Sequence, residues 1–339
     1  MSASSNSTCT VAPDAVPSDA GVAGIGVLLS FMITAAISLL ISASLVFQEA
    51  RSTRKSSSSS YLKPSVLRRK LLNAYSDQQI LTGIGIQSVG LSQTESMTPY
   101  HFFLVWMLSL LSMSVHNATL LALARDFRRD WVLRWMRQFL MFVNLALSCV
   151  YGVYILQAVR RGLANATFPV ACAWDPETPD GPAPSDSALS YVGTVAVIVG
   201  NVVIFALATW YLHSRAQRLY AVFQIVGLLL MAAFAVGATV RVATLADAFA
   251  DPPIKLSDSG ESQWSFGQLL SVGMLVLPLV SVVEILRGEI KCAPPVAADY
   301  DDDKGRLLGE GQELRANPGT RSDFQPNPFF GSQTNLFRK

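Results

Sequence analysis

Few residues in this chain have side chains that do chemistry, and several of them interrupt long apolar runs. His101 follows Tyr100 at the start of one run, and His116-Asn117 lies in its second half. An imidazole inside hydrocarbon is costly, so it normally faces other helices and is a candidate for function. The alternative is a hydrogen bond between helices, typically worth about 0.6 kcal/mol. The spacing around the three histidines does not suit metal ligation, so we expect no metal site.

A polar tetrapeptide, Ser76-Asp77-Gln78-Gln79, precedes a short apolar run. Ser followed three residues later by Gln is the pattern of a capping box, and Asp77 suits the positive end of a helix dipole. The pattern therefore favours a helix N-terminus at this point. The second interpretation makes Asp77, Gln78 and Gln79 polar contacts between helices, or part of a site.

Two further charged residues, Arg241 and Glu284, lie near the ends of later runs. Snorkelling to the membrane interface explains such positions, and Asp247 is close enough in sequence to pair with Arg241. An intramembrane enzyme such as a seven-helix terpene cyclase needs buried acids, and the runs offer only Glu284 and Asp77. No run contains Lys, which excludes a retinal Schiff base. We therefore expect no cofactor and no catalytic constellation.

These residues must be positioned by membrane helices. The chain is 51% hydrophobic and 15% charged, against about 25% charged in soluble domains. A bilayer core about 30 Å thick needs roughly 20 apolar residues per helix. Seven runs meet or approach that length, which predicts an all-α bundle of seven transmembrane helices over residues 21–289. The runs are about 21–47, 77–93, 100–123, 138–158, 188–212, 219–243 and 266–286.

The distribution of basic residues predicts the orientation. The first, third and fifth loops and the segment after the last run, residues 287–339, hold 7, 5, 2 and 8 Lys or Arg, which is 22 of the 26 in the chain. Basic residues concentrate on the cytosolic side of membrane proteins. The pattern therefore predicts an extracellular tail at 1–20 and a cytosolic tail at 290–339.

The second run is the weakest of the seven. It is short, and Gly83, Gly85 and Gly90 lower its helix propensity. Glycine is nevertheless common in membrane helices, where it lets neighbouring backbones approach closely. Removing this run would also break the alternation of basic and non-basic flanks, so we retain it as a span.

The segments predicted to lie outside carry two types of modification site. Asn6 and Asn165 begin Asn-X-Thr or Asn-X-Ser glycosylation sequons. Cys9 and Cys172 share the same side, where a disulfide is chemically stable. Sequence spacing does not show whether these two cysteines meet.

The C-terminal tail has a composition typical of disorder, rich in Asp, Gly, Asn and Pro. Cys292 stands shortly after the last span and is a candidate palmitoylation site. Asn327-Pro328-Phe329 matches the NPF peptide that endocytic EH domains bind. The tail and the inner loops are therefore candidate surfaces for cytosolic partners.

A set of short motifs lies along residues 20–290. They are Tyr75-Ser76-Asp77-Gln78-Gln79 with Leu81-Thr82-Gly83, Tyr100-His101, His116-Asn117-Ala118-Thr119, Leu123-Ala124-Arg125-Asp126-Phe127, Trp264, Phe266-Gly267-Gln268, Leu277-Pro278 and Glu284. In these motifs the chain resembles a large family of integral membrane proteins of filamentous fungi. The resemblance implies a fold and a fungal source but no settled activity. The polar positions it brings forward are Asp77, Gln78, Gln79, His101, His116, Gln268 and Glu284.

Three functions fit this layout. Topology favours a receptor-like sensor, with outer loops for a ligand and basic inner loops for partners, although this is an argument by analogy. One alternative is a membrane enzyme or carrier of a fungal secondary-metabolite pathway. The other is a membrane organiser that recruits cytosolic partners through its tail. In each case the lipid bilayer, of the plasma membrane or an endomembrane, is the principal partner, nucleic acid is not expected, and the ligand is not specified.

Overall fold

The fold is helical throughout the part that the structure covers. The computed structural model describes residues 9–52, 62–129, 131–181, 187–213 and 220–287. The only β-type pairing in these ranges is an isolated parallel bridge between Val16 and Leu256. The α-helices are α1 Ile25–Ser52, α2 Leu62–Ser92, α3 Pro99–Ala122, α4 Ala124–Arg129, α5 Trp131–Arg160, α6 Ser187–His213, α7 Tyr220–Leu245, α8 Phe266–Gly273 and α9 Leu277–Leu286. The expected all-α fold class is confirmed.

Helix α3 is the centre of the bundle. Every residue of α3 except Phe103 is buried, because α1, α2, α5, α6 and α7 all pack against it. Leu104, Leu108 and Leu111 are fully enclosed and form part of the main core. Polar side chains of α3 are therefore held among other helices, as the cost of exposing them to lipid requires.

The outer helices have the opposite pattern. Val192 of α6 and Leu229 and Val236 of α7 are each more than half exposed. A soluble protein rarely leaves such extensive apolar faces in water. Among the described residues, five helices are long and apolar enough to cross a bilayer, namely Ile25–Glu49, Pro99–Ala122, Arg134–Arg160, Tyr191–Trp210 and Val222–Leu245. The chain is a membrane protein.

Helix α2 differs from the sequence prediction in its start. It begins at Leu62, so Ser76 lies in the helix interior, and the predicted capping box at Ser76–Gln79 is wrong. Leu71, Leu72 and Ala74 are good helix formers, and they extend the helix upstream of the apolar run. The N–H groups that Ser76 would cap are therefore already inside the helix.

The last run is divided into two helices. A 3-10 turn at Met274–Val276 separates α8 from α9, and Pro278 stands in the first turn of α9, where its missing N–H is tolerated. The continuous apolar part, Phe266–Val280, is shorter than the five membrane-length helices. Helix α8 docks on α1, and α9 on α2.

Candidate functional site

A buried carboxylate organises one end of the bundle. The side chain of Glu261 is fully enclosed, and its Oε1 lies 2.6 Å from His101 Nε2. The Tyr100 hydroxyl donates to Glu261 Oε2 at 3.1 Å, and His101 Nδ1 is 3.0 Å from Thr98 Oγ1. We call Thr98, Tyr100, His101 and Glu261 the Glu261 cluster. Both carboxylate oxygens already have partners there, so the cluster is arranged for holding elements together.

The N-terminal tail is one of those elements. The Asp19 N–H donates to Glu261 Oε1 at 3.3 Å, and the Ile25 N–H donates to the Glu261 backbone carbonyl at 3.0 Å. Val16 pairs with the same loop, donating to Lys255 O at 3.1 Å and accepting from Ser257 N at 2.8 Å. The tail therefore lies across the loop that joins α7 to α8.

The tail is also tied to the loop after α5. Cys9 and Cys172 form a disulfide, with Cα atoms 5.5 Å apart. The Thr167 hydroxyl donates to the Pro13 carbonyl at 2.7 Å. Asn165, the described glycosylation candidate, is exposed in this loop. The pairing that sequence spacing left open is thus present in the structure.

Carboxylates accumulate around this end. Burial raises the pKa of Asp247, and the negative charges of Glu261, Asp251 and Asp258 raise it further. At Asp258, hydrogen bonds from the Ser18 hydroxyl and the Gly260 N–H lower the pKa. The pKa values of these two acids are therefore shifted in opposite directions from the ordinary value.

A second group of polar side chains lies inside the bundle, between α2, α3 and α5. The Ser112 hydroxyl donates to the Gln79 carbonyl at 2.8 Å and lies 2.8 Å from His116 Nε2. Because the single Ser112 proton goes to a carbonyl, His116 Nε2 is the donor in the second bond. Gln87 Nε2 donates to Asn144 Oδ1 at 2.5 Å. These bonds link three helices through residues that are all buried.

This group is not fully satisfied. His116 Nδ1 and both amide atoms of Asn117 are buried without a hydrogen-bond partner, and so is Gln79 Oε1. His116 bonds to Ser112 of its own helix, not to a side chain of another helix. Buried polar atoms are normally paired, so these four atoms are exceptions.

A third group connects the middle of α2 to the first two turns of α5. Arg137 is 5% exposed and forms an ion pair with Asp77. Its guanidinium also donates to Asn73 Oδ1 at 2.7 Å and to the Asn73 carbonyl at 3.1 Å. The guanidinium carbon lies 4.8 Å from the centre of the Phe127 ring. We call these four residues the Arg137 cluster.

A second ion pair extends this group to α4. Arg69 Nη1 is 2.5 Å from Asp126 Oδ2. Asp126, in the Arg-Asp-Phe sequence after α3, thus binds a residue of α2. Helix α2 holds both ion pairs, one with α5 and one with α4.

A cavity of about 470 Å³ opens between α1, α2, α8 and the tail. Gln78, Gln79 and Thr82 line one wall, and Ser30 and Thr34 line another. Neither Gln78 Oε1 nor Gln79 Oε1 has a partner. The volume lies within the range of small-molecule sites, about 300–1,000 Å³. We refer to this space as the α1–α2–α8 cavity.

Gln268 has a structural position next to this cavity. It is fully buried, accepts from the Gly26 N–H at 3.3 Å and donates to the Gln263 carbonyl at 3.0 Å. A Cβ atom on Gly26 would lie 2.6 Å from the Gln268 carbonyl oxygen. Gly26 is therefore what allows α8 to approach α1.

The remaining predicted residues are dispersed. Arg241 is exposed on α7 and forms no ion pair with Asp247, whose described contact is a backbone N–H donated to the Tyr100 hydroxyl at 3.0 Å. Glu284 lies in α9, and its side chain is outside the described part. Also outside are Asn6, Cys292, Asn327, Pro328 and Phe329. In the described ranges, no three His, Cys, Asp or Glu side chains converge as metal ligands would.

Sequence reasoning missed Glu261 and Arg137. Glu261 was one acid among several in a loop, and Arg137 was one of the basic residues that set the orientation. The sequence held a signal for each. A His beside a Tyr at a helix start needs a hydrogen-bond partner, and so does an Asp at the start of an apolar run.

No family model, curated protein or solved structure matches this chain. Its function must therefore be argued from this geometry.

Proposed function

We propose that this chain is a seven-span membrane sensor with its N-terminus outside and its C-terminus in the cytosol. The spans are α1, α2, α3, α5, α6, α7 and the α8–α9 pair. Helix α2 is the most polar of them, but Ser76, Gln79 and Gln87 are buried against its neighbours. Polar residues facing a bundle interior are compatible with a membrane position.

The two ends of α2 support the orientation. Arg69, near its start, pairs with Asp126, and Arg137 lies near the start of α5. Beyond the other end of α2, the Met97 carbonyl accepts from Val170, next to the disulfide loop. Basic residues thus gather at the end opposite the disulfide, as the positive-inside rule requires of a cytosolic face.

The observation that carries the sensing role is that one helix connects a cavity to the basic end. Gln78 and Gln79 line the α1–α2–α8 cavity, and the adjacent Asp77 pairs with Arg137. A ligand that displaces α2 would alter both ion pairs of α2, including the one with α4. A shift can be transmitted in this way because packed helices move as units.

A ligand-free experiment tests this coupling. Gly85 lines the cavity, and no atom lies within 4 Å of a Cβ built on it. We expect Gly85→Leu to occupy the cavity as a ligand would and to change amide hydrogen exchange in α4 severalfold. Gly237→Leu on α7, also in open space, is the matched control. Unchanged exchange at 124–129 in a folded Gly85→Leu protein would reject the sensing proposal.

Orientation is tested by labelling. In a background with Cys149 and Cys292 replaced by Ser, a membrane-impermeant maleimide should label Asn165→Cys in intact cells. It should label Arg129→Cys only after permeabilisation. The reverse pattern would show that the orientation is inverted.

Membership of the filamentous-fungal family stays a prediction, as do a role in a secondary-metabolite pathway and recruitment through the tail. The described acids do not favour an enzyme: Glu261 has its oxygens occupied, and Asp77 is paired with Arg137.

A further inference from the structure

The hydroxyl groups that line the α1–α2–α8 cavity already donate their protons to backbone carbonyls. The Ser30 hydroxyl donates to the Val27 carbonyl at 2.8 Å, and the Thr34 hydroxyl donates to the Ser30 carbonyl at 2.7 Å. The Thr82 hydroxyl donates to the Gln78 carbonyl at 2.9 Å. A hydroxyl has one proton and two lone pairs. These three groups therefore offer a ligand acceptors only.

The two glutamines add further acceptors. Gln79 Nε2 donates to the Phe31 carbonyl at 3.4 Å. A carbonyl can only accept, so the amide nitrogen faces Phe31 and Oε1 is left without a partner. Gln79 is 2% exposed, so bulk water does not satisfy this oxygen. Gln78 Oε1 is likewise buried and unpaired.

The formal charge of the lining has one sign. Among the described residues of the lining, Asp19, from the N-terminal tail, is the single ionisable one, and there is no Lys, Arg or His. One of its oxygens accepts from the Gly21 N–H at 3.1 Å. The field in the cavity therefore disfavours anions and favours protons carried by a ligand.

Most of the remaining wall is apolar. Besides Ser271, whose hydroxyl donates to the Gly267 carbonyl at 2.9 Å, and the exposed Gln93, it consists of glycines and of Val22, Val27, Phe31, Ile86, Val89 and Met274. Such a surface removes a hydrocarbon group from water, while the acceptors fix its polar end.

We infer that the α1–α2–α8 cavity binds a small amphiphile with two or more hydrogen-bond donors, an alcohol or an organic ammonium ion, and that it binds acids and molecules that only accept more weakly. The inference rests on the proposed function, since it names the ligand class of the same cavity. Donors from the ligand would satisfy Gln78 Oε1 and Gln79 Oε1, and the hydrocarbon part would contact Phe31 and Ile86.

Binding of four matched probes to the full chain in phosphatidylcholine nanodiscs tests the inference, with empty nanodiscs subtracted. The probes are octane-1,2-diol, octylammonium, 1,2-dimethoxyoctane and octanoate. We expect the diol or the ammonium ion to bind at least about tenfold more tightly than the ether and the acid, because only the donors form the new hydrogen bonds. Asp19→Asn should weaken binding of the ammonium ion and leave binding of the diol unchanged. This difference distinguishes a charged donor from a neutral one.

Variants locate the site. Gly85→Leu should abolish binding, Gln78→Leu should weaken it severalfold, and Gly237→Leu should bind as the wild type does. Equal affinity for ether and diol, unchanged binding by Gly85→Leu, or no binding of any probe to folded wild-type protein would overturn the inference. Selective binding with unchanged exchange in α4 would keep the ligand class and reject the sensing role. If Gly85→Leu changes exchange in α4 but the probes bind without donor selectivity, the sensing role stands and the ligand class is rejected.

Discussion

At the residue scale, two buried groups, Arg137 and Glu261, depend on specific hydrogen-bond partners. Arg137 is almost completely buried, so its guanidinium needs the acceptors that Asp77 and Asn73 supply. Glu261 has the same need on the opposite side of the bundle, where His101, Tyr100 and the Asp19 N–H surround it. In both cases the neighbours give the buried group defined hydrogen bonds.

Replacing Arg137 should be more harmful than replacing its partner. Arg137→Met leaves Asn73 Oδ1 and Asp77 without their donor, and we expect a loss of about 2 kcal/mol in the free energy of unfolding. Asp77→Asn should cost about 1 kcal/mol, because the Asp77 side chain is 60% exposed and the pair is partly solvated. Unfolding in detergent micelles measures both. Equal losses would contradict the assigned asymmetry.

Asp247 gives a pH dependence of known sign. Its pKa is raised above the ordinary 3.8, so the folded state holds this proton more tightly than the unfolded state does. Ionisation at neutral pH therefore costs stability, and the cost disappears as the pH falls toward the ordinary value. We expect Asp247→Asn to raise the melting temperature near pH 7, with a gain that shrinks under acid. Glu95→Gln, at an exposed position, is the control; a gain independent of pH would refute the account.

At the element scale, α8 is held against α1 by close approach and by the hydrogen bonds of one glutamine. Gly24 and Gly26 leave room for Gln268, whose side chain accepts from the Gly26 N–H. Ser265 caps α8 by accepting from the Gln268 N–H at 3.4 Å. The start of α8 is therefore positioned by the N-terminal end of α1.

Adding a methyl group at Gly26 should separate these two helices. The new Cβ would lie 2.6 Å from a backbone oxygen, which cannot rotate away as a side chain could. We expect Gly26→Ala to lower the free energy of unfolding by about 2 kcal/mol through overpacking. Gly267→Ala on α8, with nothing within 4 Å of its Cβ, should be neutral. Comparable melting temperatures for the two variants would show that α8 is not docked at Gly26.

At the scale of the whole molecule, the tail, two loops and the bundle form one connected end. The disulfide, the Val16 pairing and the Glu261 cluster attach residues 9–24 to segments far apart in sequence. The opposite end is joined by the ion pairs of Arg69 and Arg137. The bundle between them is centred on α3.

Loss of the disulfide should weaken this connected end. Cys9 and Cys172 are 163 residues apart in sequence, and a bridge that closes a long loop stabilises by about 2–4 kcal/mol. We expect Cys9→Ser, Cys172→Ser and the double variant to show the same lower melting temperature, because each removes the same bond. The wild type under reducing conditions should match them. Clearly different single variants would mean that one cysteine has another role.

The sequence by itself determined the helical class and the membrane setting. Each depends on local patterns: apolar runs of bilayer length and helix formers within them. It also indicated Gln78, Gln79 and His101 as candidates for contacts between helices or for a site, because polar groups in apolar runs need partners. Its capping assignment at Ser76 failed, since a four-residue motif cannot show that the helix continues upstream.

Only the tertiary structure decided which residues are the partners. Glu261 meets His101, Arg137 meets Asp77, and Cys9 meets Cys172, in each case across at least 60 residues of chain. Which residues meet depends on how the helices pack, and single-residue character does not encode that. The histidine at the start of α3 is plain in the sequence. Whether it faces a ligand or a buried carboxylate depends on where the α7–α8 loop and the N-terminal tail lie in the folded protein.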